Sequence, residues 1–255
     1  MDEGSMGGRR AIDFGGYVMD VVQTRGEGWC EDAYPFNLPA VRSWEKLELH
    51  EKVTFLVGEN GSGKSTLIEA IAIAAGLNAE GGSRDHRFST RDTHSTLHQF
   101  LKLVRGTRRP KDSYFLRAES LYAQASYVDV ATTLERYGGR GLHSQSHGES
   151  VMALFRNRFE GRGFYILDEP EAALSPPRQI AFLQRLHALV QDDSQFVIAT
   201  HSPIILAYPD AWICEITPEG PRRTKWDELE HVRVTRDFLM YPEAYLYEIM
   251  EEPSE

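Results

Sequence analysis

An α/β fold with a mainly parallel sheet and flanking helices is what this 255-residue sequence predicts, and three short apolar runs carry that expectation. Residues 53–57 (VTFLV) lead into a glycine-rich loop and then an apolar, helix-like run over 67–75. Residues 164–167 (FYIL) end in the acidic pair Asp168 and Glu169, and residues 196–200 (FVIAT) end in His201, Ser202 and Pro203. A run of four or five residues that is apolar almost throughout, without alternation, reads as a strand buried on both faces, the habit of parallel sheets. Ligands gather at the C-terminal edge of such sheets, which is where all three runs place their polar residues.

The first run is followed by Gly58, Glu59, Asn60, Gly61, Ser62, Gly63, Lys64 and Ser65, a complete G-x-x-x-x-G-K-[ST] phosphate-binding loop. Its glycines let backbone N–H groups curl around phosphates, and the helix that starts here adds its positive N-terminal end. Lys64 is then placed to reach the β- and γ-phosphates, and the Ser65 hydroxyl to enter a Mg²⁺ shell. The expected nucleotide cradle is Gly58, Asn60, Gly61, Ser62, Gly63, Lys64, Ser65 and Thr66. The alternative, a glycine-rich turn before a helix, does not explain the strand and helix on either side.

The second run delivers Asp168, suited to hold Mg²⁺, and Glu169, placed to orient or deprotonate an attacking water. The third delivers His201, which can donate a hydrogen bond to a reacting phosphate. Singly, an acidic strand end is often a helix-capping region and a lone histidine is often structural. In this order along one chain they point to phosphoryl chemistry.

With these residues in view, the chain resembles the ATP-binding-cassette (ABC) class of P-loop NTPases over about residues 44–216. The class carries a Ser-Gly-Gly-Gln-like signature before the Asp-Glu pair, and here Ser146, His147, Gly148 and Glu149 fill it, ahead of an amphipathic run with Val151, Met152, Leu154, Phe155 and Phe159. The resemblance implies that Ser146 and Gly148 face the γ-phosphate held by the other subunit, so that the working form is a head-to-tail homodimer around two ATP molecules. Ser146 with Glu149 also has the spacing of a capping box, which is compatible with that role. The D-loop of the class falls on residues 172–176 (AALSP). Two departures stand out: His147 replaces a signature glycine, and Ser175 replaces the D-loop aspartate. The wording around residues 115–120 and 169–176 is similar to that of small stand-alone bacterial ATPases. For the class's metal-contacting polar residue, Glu119 is the choice and Gln124 the reserve; Tyr34 and Phe36 are candidates for stacking on adenine, or for packing.

Composition agrees with a cytoplasmic enzyme of one ATPase domain, residues 1–255. No apolar stretch approaches the ~20 residues that a membrane span requires. Cys30 and Cys214 alone give no disulfide framework, and the start, Met1, Asp2 and Glu3, lacks the character of a secretory leader. The formal net charge of −10 argues against a protein coated in nucleic acid, although the basic cluster 105–111 and Arg156, Arg158 and Arg162 keep a local footprint open. Residues 77–145 show no sustained heptads, unlike ATPases that insert long coiled coils there. Several histidines between His86 and His147 lack regular ligand spacing for zinc.

The expected architecture is thus an ABC-type P-loop fold with an antiparallel edge drawn from the first fifty residues and a small helical lobe over about 77–160. The expected reaction is Mg²⁺-dependent hydrolysis of ATP to ADP and phosphate, catalysed by Lys64, Glu169 and His201, with Ser65, Asp168 and Glu119 at the metal. Three uses compete: a soluble ATPase that drives a protein partner in DNA repair or defence, the nucleotide-binding subunit of a membrane transporter, and a slow nucleotide-gated dimerisation switch.

Overall fold

The computed structural model describes residues 14–79, 81–83, 95–117 and 147–250. In chain order the elements are β1 (Val18–Gln23), β2 (Lys46–Glu48), β3 (Val53–Gly58), α1 (Lys64–Ala74), β4 (Gly82–Ser83), β5 (Leu101–Arg105) and β6 (Asp112–Arg117). They continue with α2 (His147–Asn157), β7 (Gly163–Asp168), α3 (Pro176–Gln191), β8 (Gln195–Ala199), α4 (Pro203–Leu206), β9 (Trp212–Thr217), β10 (Gly220–Thr224), α5 (Glu230–Met240) and α6 (Pro242–Met250). The three apolar runs are the strands β3, β7 and β8.

These strands belong to a seven-stranded sheet of order β10-β9-β3-β8-β7-β6-β4. Its five central strands, β9, β3, β8, β7 and β6, run parallel, and β10 and β4 close the two edges in antiparallel pairing. Because successive side chains point to opposite faces, each central strand feeds two cores. Tyr165 and Leu167 join Phe155, Phe159, Phe182 and Phe196 on one side. Phe164 and Ile166 join Leu67, Ile71, Trp44 and Phe36 on the other. This is why β7 is buried at all six positions and shows no alternation in sequence. On the first side Phe155 of α2 stacks on Phe182 of α3 at 4.3 Å, and Phe159 stacks on Tyr165 at the same distance.

The antiparallel component is a separate three-stranded sheet, β2-β1-β5. Two of its strands come from the first fifty residues, as expected; the third, β5, comes from the stretch assigned to the helical lobe. Within that stretch β6 also belongs to a sheet, α2 is helical, and residues 84–94 and 118–146 lie outside the described residues. The two sheets are joined by Gln195, fully buried at the start of β8. Its Oε1 accepts from the N–H groups of Tyr17 and Val18 at 2.8 and 2.9 Å, and its Nε2 donates to the carbonyls of Val18 and His50 at 2.7 and 2.9 Å. A buried amide with every group satisfied fixes the relative position of the elements it links.

The basic residues considered for a nucleic-acid footprint are partly engaged elsewhere. Arg158 is ion-paired with Asp112 at 2.8 Å, beside the Tyr165 hydroxyl, which donates to the same carboxylate. Arg108 pairs with Asp193 at 3.2 Å and Arg162 with Asp192 at 3.6 Å. Among the described residues no helix is long and apolar enough to cross a membrane.

Candidate functional site

The phosphate-binding loop spans the end of β3 and the start of α1. Gly63 caps the helix at φ 92°, in the left-handed region where an L side chain is strained. Lys64 folds back over the loop: its Nζ donates to the carbonyls of Gly58 and Glu59, both at 2.7 Å, and the residue is 5% exposed. Burial holds its ammonium below the ordinary lysine range against the pull of Glu169 and Asp168. An ammonium held among carbonyls at the mouth of such a loop is poised to exchange those weak acceptors for phosphate oxygens.

Strand order brings the acidic pair to the same edge. β8 lies between β3 and β7, with Ala199 facing Leu56 on one side and Asp168 on the other. Asp168, 5% exposed, accepts from the Ser65 hydroxyl at 3.2 Å through its Oδ1. On its other flank, β6 sets Arg117 in register with Asp168, and the guanidinium Nε lies 3.4 Å from Oδ2. Arg117 also holds Glu69 of α1 at 2.8 Å. The adjacent hydroxyl and carboxylate oxygens of Ser65 and Asp168 are the hard donors that Mg²⁺ prefers.

Glu169 takes a left-handed backbone, φ 48° and ψ 53°, a cost of ~1–2 kcal/mol for a residue with a Cβ. Its N–H donates to the Ala199 carbonyl at 2.9 Å, so the chain turns sharply while staying pinned to the sheet. Glu169, Lys64, Ser65, Thr66, Asn60, Gly61 and Tyr34 line one cavity of about 310 Å³. A second, of about 580 Å³, lies along the loop residues 58–62 and includes His201 and His231.

His201 lies two residues beyond the end of β8. Its Nε2 stands 3.8 Å from Glu169 Oε1, too far for a hydrogen bond. Burial pushes its imidazole down to about 4, helped by the charge of Lys64 and by His231, so the ring is neutral despite the nearby carboxylate. Its backbone N–H donates to Glu171 Oε1 at 2.6 Å.

The sequence-predicted residues Lys64, Ser65, Asp168, Glu169 and His201 therefore share one sheet edge. Gly148 lines neither cavity. It sits buried in the first turn of α2, where an added Cβ would collide with the Ala173 carbonyl and the Arg178 guanidinium. Ser146, Glu119 and Gln124 lie outside the described residues. Of the two aromatic candidates, Phe36 is a packing anchor, buried against Trp29 at 4.4 Å and Phe100 at 5.1 Å. Tyr34 is 64% exposed beside the loop. Sequence reasoning passed over Arg117, Glu69 and Glu171. Arg117 was legible as a charge ending an apolar strand, and Glu171 as a third carboxylate in the Asp-Glu-Pro-Glu string.

A family model described as "AAA domain" matches residues 37–140. A second, described as "AAA domain, putative AbiEii toxin, Type IV TA system", matches residues 150–207. The chain is 40% identical over 63 residues to the UvrABC system protein A of Agrobacterium fabrum, a match covering 25% of this chain and 6% of that protein. It is 28% identical over 163 residues to the energy-coupling factor transporter ATP-binding protein EcfA1 of Thermotoga maritima, covering 59% of this chain and 62% of the relative. The chain thus spans less than two thirds of the length of either curated relative. Among solved structures, cbiO1 from Clostridium perfringens, part of the ABC transporter complex cbiONQ, superposes with a TM-score of 0.50 at 15% identity over 91% of this chain and 99% of its own, a likeness of fold. The fold, the two AAA-domain matches and the likeness to cbiO1 together support an ABC-class P-loop ATPase.

Proposed function

We propose that the protein binds ATP with Mg²⁺, hydrolyses it to ADP and phosphate, and does so as a head-to-tail homodimer that drives or gates a protein partner. The observation that carries this reading is the 3.2 Å contact of Ser65 with Asp168, flanked by Lys64 and Glu169 on one sheet edge. An ammonium, a hydroxyl and two carboxylates from two distant segments meet there, which supports phosphoryl chemistry.

In this reading Ser65 and Asp168 hold Mg²⁺, with Glu119 as its further contact. When bound, the metal supplies neutralisation of the charge that builds on the phosphates. Gly58, Asn60, Gly61, Ser62, Gly63 and Thr66 bind the phosphates through the loop and the helix start. Lys64 stabilises the transferring phosphoryl group, Glu169 accepts a proton from the attacking water, and neutral His201 donates a hydrogen bond to the reacting γ-phosphate. Ser146 and Gly148 complete the opposite site in the dimer. Gly148 packs on Ala173 and so ties the signature helix to the turn after Glu169.

The toxin–antitoxin description matched over residues 150–207 supports a partner in defence, and the protein is read as cytoplasmic. The likeness to EcfA1 supports a second use, as the nucleotide-binding subunit of a transporter. Co-purification of a membrane subunit with the full chain separates the two.

The test is Glu169→Gln, which is nearly isosteric and so keeps ATP bound while its amide accepts no proton. Light-scattering mass should read dimer with Mg²⁺ and ATP and monomer with ADP, and Ser146→Arg should abolish the dimer. Alongside, Lys64→Ala should lower turnover by about a hundredfold or more. Parent-level hydrolysis in Lys64→Ala rejects the phosphate-loop reading, and a Glu169→Gln chain that stays monomeric with ATP bound rejects the dimer.

A further inference from the structure

In the reading above Glu169 and His201 act on the same phosphate, yet their side chains do not hydrogen-bond to each other: 3.8 Å separates His201 Nε2 from Glu169 Oε1. What holds them in relation is a third residue. Glu169 opens a short 3₁₀ turn, Pro170–Ala173, and Glu171 lies within it. Glu171 is half-buried, and its Oε1 receives the His201 N–H at 2.6 Å. Since β8 ends at Ala199, the His201 amide is beyond the ladder and depends on a side chain for its acceptor. A bond of this length lies at the short end of those a backbone amide makes.

A second bridge runs parallel to the first. The Ser202 hydroxyl donates to Gln179 Oε1 at 2.5 Å, while Gln179 Nε2 donates to the Leu174 carbonyl at 2.9 Å. The turn after Glu169 is thus tied to His201 at one end and to Ser202 at the other. The same turn presents the Ala173 carbonyl to Gly148, at the start of the signature helix, in contact too close to admit a methyl group. A continuous packed path runs from Gly148 through Ala173 and Glu171 to His201.

We propose that Glu171 is a positioning residue that sets His201 for the reaction and passes to it any shift of the turn packed against the signature helix. Resting on the ATPase reading above, this makes His201 responsive to the opposite nucleotide site, since in the dimer the signature helix of one chain faces the nucleotide of the other. The action is geometric: an oxygen must stand where the His201 N–H points. Gln at 171 keeps an oxygen there without the charge, whereas Asp keeps the charge and withdraws the oxygen by one methylene.

The experiment measures ATP turnover and hydrogen exchange at the His201 amide in the full chain carrying Glu171→Gln, Glu171→Asp or Glu171→Ala, each with and without His201→Ala. Glu171→Gln should keep kcat within about threefold of the parent, and Glu171→Asp and Glu171→Ala should lower it about tenfold or more with KM for ATP within about twofold. In the His201→Ala background the same changes should cost less than about twofold, because the two residues act as one unit. Exchange at the His201 amide should quicken in Glu171→Asp and stay slow in Glu171→Gln. Should Glu171→Ala not fold, the Gln and Asp pair decides alone. The reverse order, Asp active and Gln inactive, overturns the proposal, as does an equal loss with and without His201. A parent that hydrolyses ATP in a Lys64-dependent way while all Glu171 variants match it overturns this inference alone; a parent with no hydrolysis overturns the ATPase reading and this inference with it.

Discussion

Arg117 and Asp168 end neighbouring parallel strands at the same register position, and the guanidinium Nε of one stands 3.4 Å from the carboxylate of the other. The same guanidinium holds Glu69, 8% exposed on α1, at 2.8 Å. One cation thus serves a carboxylate of the site and a carboxylate of the helix behind it. The expected metal-binding residue is thereby coupled to the body of the fold.

Breaking that pair is expected to be costly because it leaves Glu69 buried without its cation. Arg117→Met should lower stability by about 1–3 kcal/mol in urea unfolding. Glu69→Gln combined with Arg117→Met should cost less than the two single changes added together. Strict additivity would show that the two side chains do not interact in solution.

His201 sets a pH dependence. The fold holds its imidazole neutral down to about pH 4, whereas the unfolded chain takes up that proton near the ordinary value of 6.5. Between those limits the unfolded state binds more protons, so stability is full above about pH 6.5 and falls as pH drops towards 4. The fall in Tm across this window should be smaller in His201→Gln than in the parent. Parallel curves would mean that the imidazole titrates normally in the folded protein. At saturating ATP and neutral pH, His201→Ala should bind nucleotide and turn over more slowly.

Gln195 is the third test, and it bears on architecture rather than chemistry. Gln195→Leu removes the partner of two N–H groups and two carbonyls at the junction of the sheets. A stability loss on the order of 3–5 kcal/mol is expected in denaturant unfolding. A loss below about 1 kcal/mol would mean that the sheets are held by their apolar contacts alone.

The nucleotide edge was readable in advance because its signals are local. Residues 58–65 carry loop, cation and hydroxyl within eight consecutive positions, and Asp168 with Glu169 closes an apolar strand. The helical lobe assigned to residues 77–160 was less legible. Leu101–Arg105 is a strand only because it finds Val18–Gln23 far away in the chain, and neither segment carries a pattern that names the other. Tyr34 and Phe36 could not be separated by type; burial against Trp29 and Phe100 makes Phe36 a packing residue.

From the sequence alone came the chemistry: which residue types stand at strand ends, in what order, and hence the phosphate-binding class. Spacing along the chain encodes that, since a loop and the two elements beside it are continuous. Only the tertiary structure decided that Arg117 shares Asp168 with Ser65, that Glu171 rather than Glu169 secures His201, and that Gln195 joins two sheets. Each is a contact between side chains brought together by strand order, and strand order is settled by the packing of both sheet faces at once, which no single segment contains.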